Sequence, residues 1–196
     1  MILGYHLIIT AYGFWLPNDP RGSWSDFVGA WELLRFGRAT KTERRQSLAS
    51  RQHGIDTRLA AKKVLKYPEV HFTGIQARTI GDGFADLVQR SELGIWACSI
   101  LPEHAHLVLA RHRYKVEQIA NLLKGAATKA LIEEKVHPFE KYQTKRERLP
   151  KAWAQGQWKV FLDSKKDIFR AIHYVENNPL KEEKPRQYWS FVTDYE

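Results

Sequence analysis

His104-Ala105-His106 is the tripeptide with the clearest chemical potential in the chain. On a β-strand, side chains alternate with a period of two. Both imidazoles would then leave one face, and Ala105, Leu107 and Leu109 would leave the other, the side suited to a covering helix. Two imidazoles held on one rigid strand can share one metal ion, although such pairs also occur on half-exposed strands with no ligand to hold. Tyr174 and Asn178 form a second pair. In a helix whose apolar stripe is Ile168, Ala171, Ile172 and Val175, Tyr174 lies about 200° round the axis from Ile172. It therefore stands off the core side. Asn178, four residues on, shares its face if the last turn reaches that far. A phenol in that position can act as a nucleophile, and an amide oxygen one turn later can ligate a hard cation. A rim tyrosine followed by an asparagine cap would use the same residues without chemistry.

The charge pattern points to the partner. The chain has 196 residues, 31 Lys+Arg against 22 Asp+Glu, and a net charge of +9. Hydrophobic residues at 43% and charged residues at 27% are an ordinary globular balance, which argues against global disorder. The excess is concentrated in residues 35–66, net +8, and 111–159, net +7. These blocks are either solvated faces or nucleic-acid-facing stretches. Aromatic residues make up 12% of the chain and include seven Trp, so stacking on unpaired bases is available beside the cations. Arg44, Arg45, Lys62 and Lys63 in the first block are candidate phosphate contacts, as are Lys124, Lys129, Lys145 and Arg146 in the second. A single cysteine, Cys98, excludes an intrachain disulfide and a Cys-rich zinc site and fits a reducing, cytoplasmic setting. The opening MILGYHLIITAYGFWLP lacks a basic flank, and its apolar stretch carries His6 and is too short to span a bilayer, so neither signal peptide nor membrane segment is expected.

The elements that must position these residues follow from periodicity. Residues 5–12 read as a strand. Residues 13–34, rich in Gly, Pro, Asn, Asp and Trp, read as a long structured loop, and 35–55 as a mobile basic extension of it. Asp56-Thr57 can cap a helix over 57–66, and Thr73 a second over 74–92, though Gly81 and Gly83 disfavour the latter. Residues 95–111 read as a β-hairpin turning at Pro102-Glu103. A long helix over 115–135 follows, with Val116, Ile119, Ala120, Leu123, Ala127, Ala130 and Leu131 inward and Lys115, Lys124 and Lys129 outward. Residues 138–155 are a basic loop and Trp158–Leu162 a short strand. Ser164 caps a final helix over 165–177 that Pro179 closes. The tail 180–196 can pack through Tyr188, Trp189 and Phe191. This order predicts an α+β fold: a small antiparallel, ferredoxin-like sheet with helices mainly on one face, plus a C-terminal helix bearing Tyr174.

LPEHAHLVL resembles the His-hydrophobic-His motif of the single-tyrosine HUH transposases. WAQGQWKVFLDSKKDIFRAIHYVENNP resembles the same family's C-terminal pattern: a Trp-x-x-Gly strand, then a helix bearing Tyr and, further on, Asn or Gln before Pro. The YVENNP ending is most similar to the branch associated with repetitive extragenic palindromes. YHLIITAY resembles the family's first strand, and IANLLKGAATKAL its helix after the histidine strand. The matches keep the family's order and span about 5–12 and 94–179. On this resemblance, residues 1–196 form one transposase domain with insertions at about 13–55 and 138–155, onto which no family motif maps. Asn178 stands where many relatives carry Gln.

The resemblance implies that Tyr174 attacks a scissile phosphate. The products are a 5′-phosphotyrosine and a free 3′-OH, and the exchange conserves the phosphodiester and needs no ATP. It also implies Mg²⁺ or Mn²⁺ on His104, His106 and Asn178, and single-stranded or hairpin DNA as partner, with no membrane. A monomer and a homodimer both stay open, because some relatives exchange the tyrosine helix between subunits and others act alone. Two other classes fit part of the pattern. One is a domesticated, non-cleaving module that grips hairpin DNA or RNA. The other is a metal hydrolase that uses the histidine pair with Tyr174 idle.

Overall fold

Alternating β-branched and aromatic residues make Gly4–Thr10 the central strand β1. The computed structural model describes residues 1–23, 25–42, 54–142 and 148–196; Arg44, Arg45, Lys145 and Arg146 lie outside the described residues. The sheet is completed by β2 (Ile95–Ile100), β3 (His104–Ala110) and β4 (Trp158–Leu162), in the order β2-β3-β1-β4. Each neighbouring pair is antiparallel. The helices are α1 (Trp31–Leu34), α2 (Ile55–Lys63), α3 (Gly74–Ser91), α4 (Val116–Glu133) and α5 (Lys165–Asn177). With α3 between β1 and β2, and α4 between β3 and β4, the sheet has the connectivity of a ferredoxin-like α+β fold.

Alternation divides the sheet into two apolar faces. Leu7, Ile9, Cys98, Ile100, Ala105, Leu107 and Leu109 are buried against α3 and α4, the larger core. Ala97, Val108 and Leu162 on the opposite face receive Ile168, Ala171 and Val175 of α5. Thus α5 lies alone across the face from which His104 and His106 project. Burying each such Leu, Ile or Val contributes about 1.5–3 kcal/mol, so α5 is anchored by its stripe and not by helix propensity.

The helix ends follow their caps. Thr73 Oγ1 accepts from the Gln76 amide, and the Gln76 side chain accepts from the Thr73 amide, which completes a capping box for α3. Ser164 Oγ accepts from the Asp167 amide and starts α5 at Lys165. By contrast, α2 begins at Ile55 behind Gly54 without a side-chain cap, earlier than Asp56-Thr57 suggests.

The two glycines that disfavour α3 serve close packing. A Cβ on Gly81 would come within 2.0 Å of the Trp189 ring, and one on Gly83 within 2.8 Å of the Ala126 carbonyl on α4. The tail therefore packs through Trp189 and Phe191, whereas Tyr188 is exposed. Lys124 departs from the outward face expected of it: its side chain is buried, and Nζ donates to the carbonyls of Ala154, at 2.9 Å, and Gly156. Burial lowers its pKa to about 8, helped by the nearby Lys151 charge.

The loop after β1 is built by its own polar contacts. Asp19 takes a bidentate pair of bonds from Arg21 at 2.8 and 2.7 Å, Arg21 lies 3.9 Å from the Trp15 ring centre, and Asn18 Nδ2 donates to the Leu33 carbonyl at 2.9 Å. Leu16, Val28, Leu33 and Ala61 form a small core joining this loop to α2.

Candidate active site

In the β1–β3 register His104 stands opposite Thr10 and His106 opposite Ile8. Cross-strand partners share a face, so His6, two residues before Ile8, joins the two histidines beneath α5. The His104 and His106 rings lie 4.7 Å apart, almost perpendicular at 81°. His6 Nε2 and His106 Nδ1 share a hydrogen bond of 2.9 Å, with the rings stacked at 5.1 Å. Phe14, from the loop after β1, stacks on His104 at 5.3 Å and 15°.

The Tyr174 ring meets this cluster from α5, 5.6 Å from His106 and 5.7 Å from His6. Tyr174 is 41% exposed, so a ligand can reach it from solvent. Lys181 Nζ lies 4.1 Å from its ring centre, on the 3₁₀ turn Pro179–Glu182 that follows α5. Other tyrosines have neighbours elsewhere: Tyr12, Tyr67 and Tyr142 surround Phe139, Tyr5 packs on Phe161, and Tyr195 packs on Trp96.

Electrostatics keep the imidazoles neutral. Burial pushes His6 down to about 4. Burial also lowers His104, against the opposing pull of the Glu182 and Glu103 carboxylates. His106 is held well below the usual imidazole range by burial first, then by His104, His6 and Lys181. Burial raises the Tyr174 phenol, which is therefore protonated near neutral pH.

Neutral imidazoles are what a metal requires. Nδ1 of His104 is buried and, among the described residues, has no hydrogen-bond partner. The ligand atoms of Glu103, His104 and Glu182 all lie within 4.8 Å of one another. Glu103 is also braced by His71, whose Nδ1 is 3.1 Å from Oε1. Nitrogen with carboxylate oxygen is a donor set that suits Mg²⁺ or Mn²⁺. Asn178, at φ −62° and ψ −40°, continues the helical turn and is buried, and its Nδ2 has no partner among the described residues.

The basic candidates are dispersed. Lys62 is paired with Glu69 at 2.5 Å and reaches over Phe14, Lys63 is exposed, Lys129 is exposed with Glu133 at 3.5 Å, and Lys124 is turned inward. Sequence reasoning missed His6, Glu103, Glu182, Phe14 and Lys181. A lone histidine within an apolar strand, and a carboxylate next to His104, were signals that pointed to the first two. For the others, only the packing of the loop after β1 and of the turn after α5 brings them in.

No protein-family model matches this chain, and no curated protein matches it. Two solved structures are similar to it. One is a REP-associated tyrosine transposase bound to a REP hairpin, with 13% identity and a TM-score of 0.47, covering 92% of this chain and 68% of that one. The other is a protein described as a transposase, from Deinococcus radiodurans R1, with 15% identity and a TM-score of 0.41, covering 90% of this chain and 91% of that one.

Proposed function

We propose that this chain is a single-tyrosine HUH transposase that cuts and rejoins single-stranded or hairpin DNA, with Tyr174 as nucleophile. The observation that carries the reading is the contact of the Tyr174 ring with His106 and His6 on the face that also bears His104. The phenol oxygen bonds to phosphorus as the bond from phosphorus to the 3′ oxygen breaks. This leaves a 5′-phosphotyrosine and a 3′-OH. The phenol loses one proton and the 3′ oxygen gains one, so the exchange is balanced and reversible without ATP.

Each neighbour of Tyr174 has a separate task. His6 and His106 hold its ring, and Lys181 beside it offers a cation to the phosphate. Phe14 backs His104 and keeps its ring in place. His104 and His106 would hold a divalent ion, with oxygen from Glu103 and Glu182 or from Asn178. When bound, the ion neutralises and polarises the scissile phosphate. A strand must be unpaired to lie along α5 and reach the half-exposed phenol, which favours single strands or the unpaired flank of a hairpin.

The test is incubation of end-labelled, hairpin-flanked single strands with the protein and Mn²⁺, read on a denaturing gel. A covalent protein–DNA adduct that Tyr174→Phe abolishes is the expected result. Cleavage without an adduct would replace the reading with a metal hydrolase. Binding without cleavage would replace it with a domesticated binding module.

A further inference from the structure

We propose that His6 is a positioning residue that sets the tautomer of His106 and so frees its Nε2 for the metal; this rests on the divalent-ion reading above. The geometry is that of adjacent strands. His6 on β1 and His106 on β3 lie diagonally on one sheet face, with Nε2 of His6 2.9 Å from Nδ1 of His106. His106 is buried and His6 partly buried, and a Tyr174 edge closes over both. Turning either ring would break the hydrogen bond and the stacking between them.

A hydrogen bond between two neutral imidazoles has two forms. In one, Nε2–H of His6 donates to Nδ1 of His106. His106 then carries its proton on Nε2 and has no lone pair left for a cation. In the other, Nδ1–H of His106 donates to a bare Nε2 of His6. Nε2 of His106 is then unprotonated, the state in which an imidazole ligates. Metal binding at His106 selects the second form. Metal-ligating histidines are commonly held this way by an acceptor at the other ring nitrogen. Here the acceptor is an imidazole from the neighbouring strand. In that form His6 is not itself a ligand, because its Nε2 accepts from His106 and its Nδ1 carries the proton, which leaves no free lone pair on the ring.

The test needs no DNA. Mn²⁺ binding is titrated calorimetrically for the wild type, His6→Phe and His6→Gln. The Phe ring fills the space without an acceptor, and the Gln amide oxygen restores one. His6→Phe should weaken Mn²⁺ binding about 10–100-fold, and His6→Gln should return it to the wild-type value. In parallel, long-range ¹H–¹⁵N spectra of the metal-free protein should show His106 protonated at Nδ1 in the wild type and shifted toward Nε2 in His6→Phe. Wild-type affinity in His6→Phe, or a wild-type His106 protonated at Nε2, would overturn the inference alone. Equal weakening in both variants would also overturn it, because an acceptor would then not be what matters. Failure of the wild type to take up Mn²⁺ would instead sink the metal reading, and this inference with it.

Discussion

Tyr174→Phe separates chemistry from packing. The phenyl ring keeps the contacts with His6, His106 and Lys181, so stability and DNA affinity should be unchanged. Only the phenol oxygen, the proposed nucleophile, is lost, and cleavage should fall by about 10³-fold or more; gel-shift and cleavage assays on one hairpin substrate check both halves. The choice of oxygen ligand is a second question at this scale. The ligand atoms of Glu182 and His104 lie within 4.8 Å of each other, whereas Asn178 is buried and its Nδ2 has no hydrogen-bond partner among the described residues. Glu182→Gln should therefore weaken Mn²⁺ binding several-fold and Asn178→Ala should not, as read by calorimetric titration. The reverse order would restore Asn178 to the ligand set.

At the scale of elements, α5 is the part that brings Tyr174 to the histidines. Ile168 is fully buried between α5 and the Ala97, Val108 and Leu162 face. Ile168→Ala should cost about 2–4 kcal/mol in chemical denaturation. It should also lower cleavage, because a loosened α5 no longer holds Tyr174 against His106. Helix α4 is tied to β4 by an ion pair between Glu117 and Lys159. The Lys159 hydrogen bond, with its charge, holds the Glu117 carboxyl below its ordinary value, against the smaller effect of burial. A carboxylate lowered in the folded state stabilises above its unfolded pKa, and that stability is lost as pH falls through the folded one. Glu117→Gln should thus flatten the stability curve below about pH 4.5, by no more than about 1 kcal/mol for so exposed a pair. Denaturant midpoints measured between pH 3 and 7 would test this.

For the molecule as a whole, the net charge of +9 is large for a chain of this length. Affinity for an unpaired strand should fall steeply with salt, with a logarithmic slope of about −0.7 per phosphate neutralised. Replacing exposed Lys63 and Lys129 with Gln should make the slope shallower. Lys124→Met should leave it unchanged and lower the melting temperature, because Lys124 holds the Ala154 and Gly156 carbonyls. A slope that changes only with Lys124 would reverse these roles. No helix among the described residues is long and apolar enough to cross a membrane.

Local rules sufficed where chemistry and periodicity are local. The caps at Thr73 and Ser164, the hairpin about Pro102-Glu103, the stripe of α5 and the common face of His104 and His106 are all properties of short stretches. Neighbours from distant parts of the chain were not legible. His6 meets His106 across 100 residues because β1 pairs with β3 in one particular register, and a shift of one residue would turn it to the other face. Glu182 reaches His104 only after α5 has crossed the sheet. Lys124 illustrates the same limit in the opposite sense: its place on the helix suggested solvent, but the loop before β4 folds over it and supplies two carbonyls. Gly81 and Gly83, unfavourable to an isolated helix, are required by Trp189 and Ala126, which arrive from elsewhere in the chain. Sequence determined that His104, His106 and Tyr174 could do chemistry and which elements carry them. Tertiary structure decided which of them meet, because strand register and helix packing are set by long-range burial and leave no periodic trace at either partner.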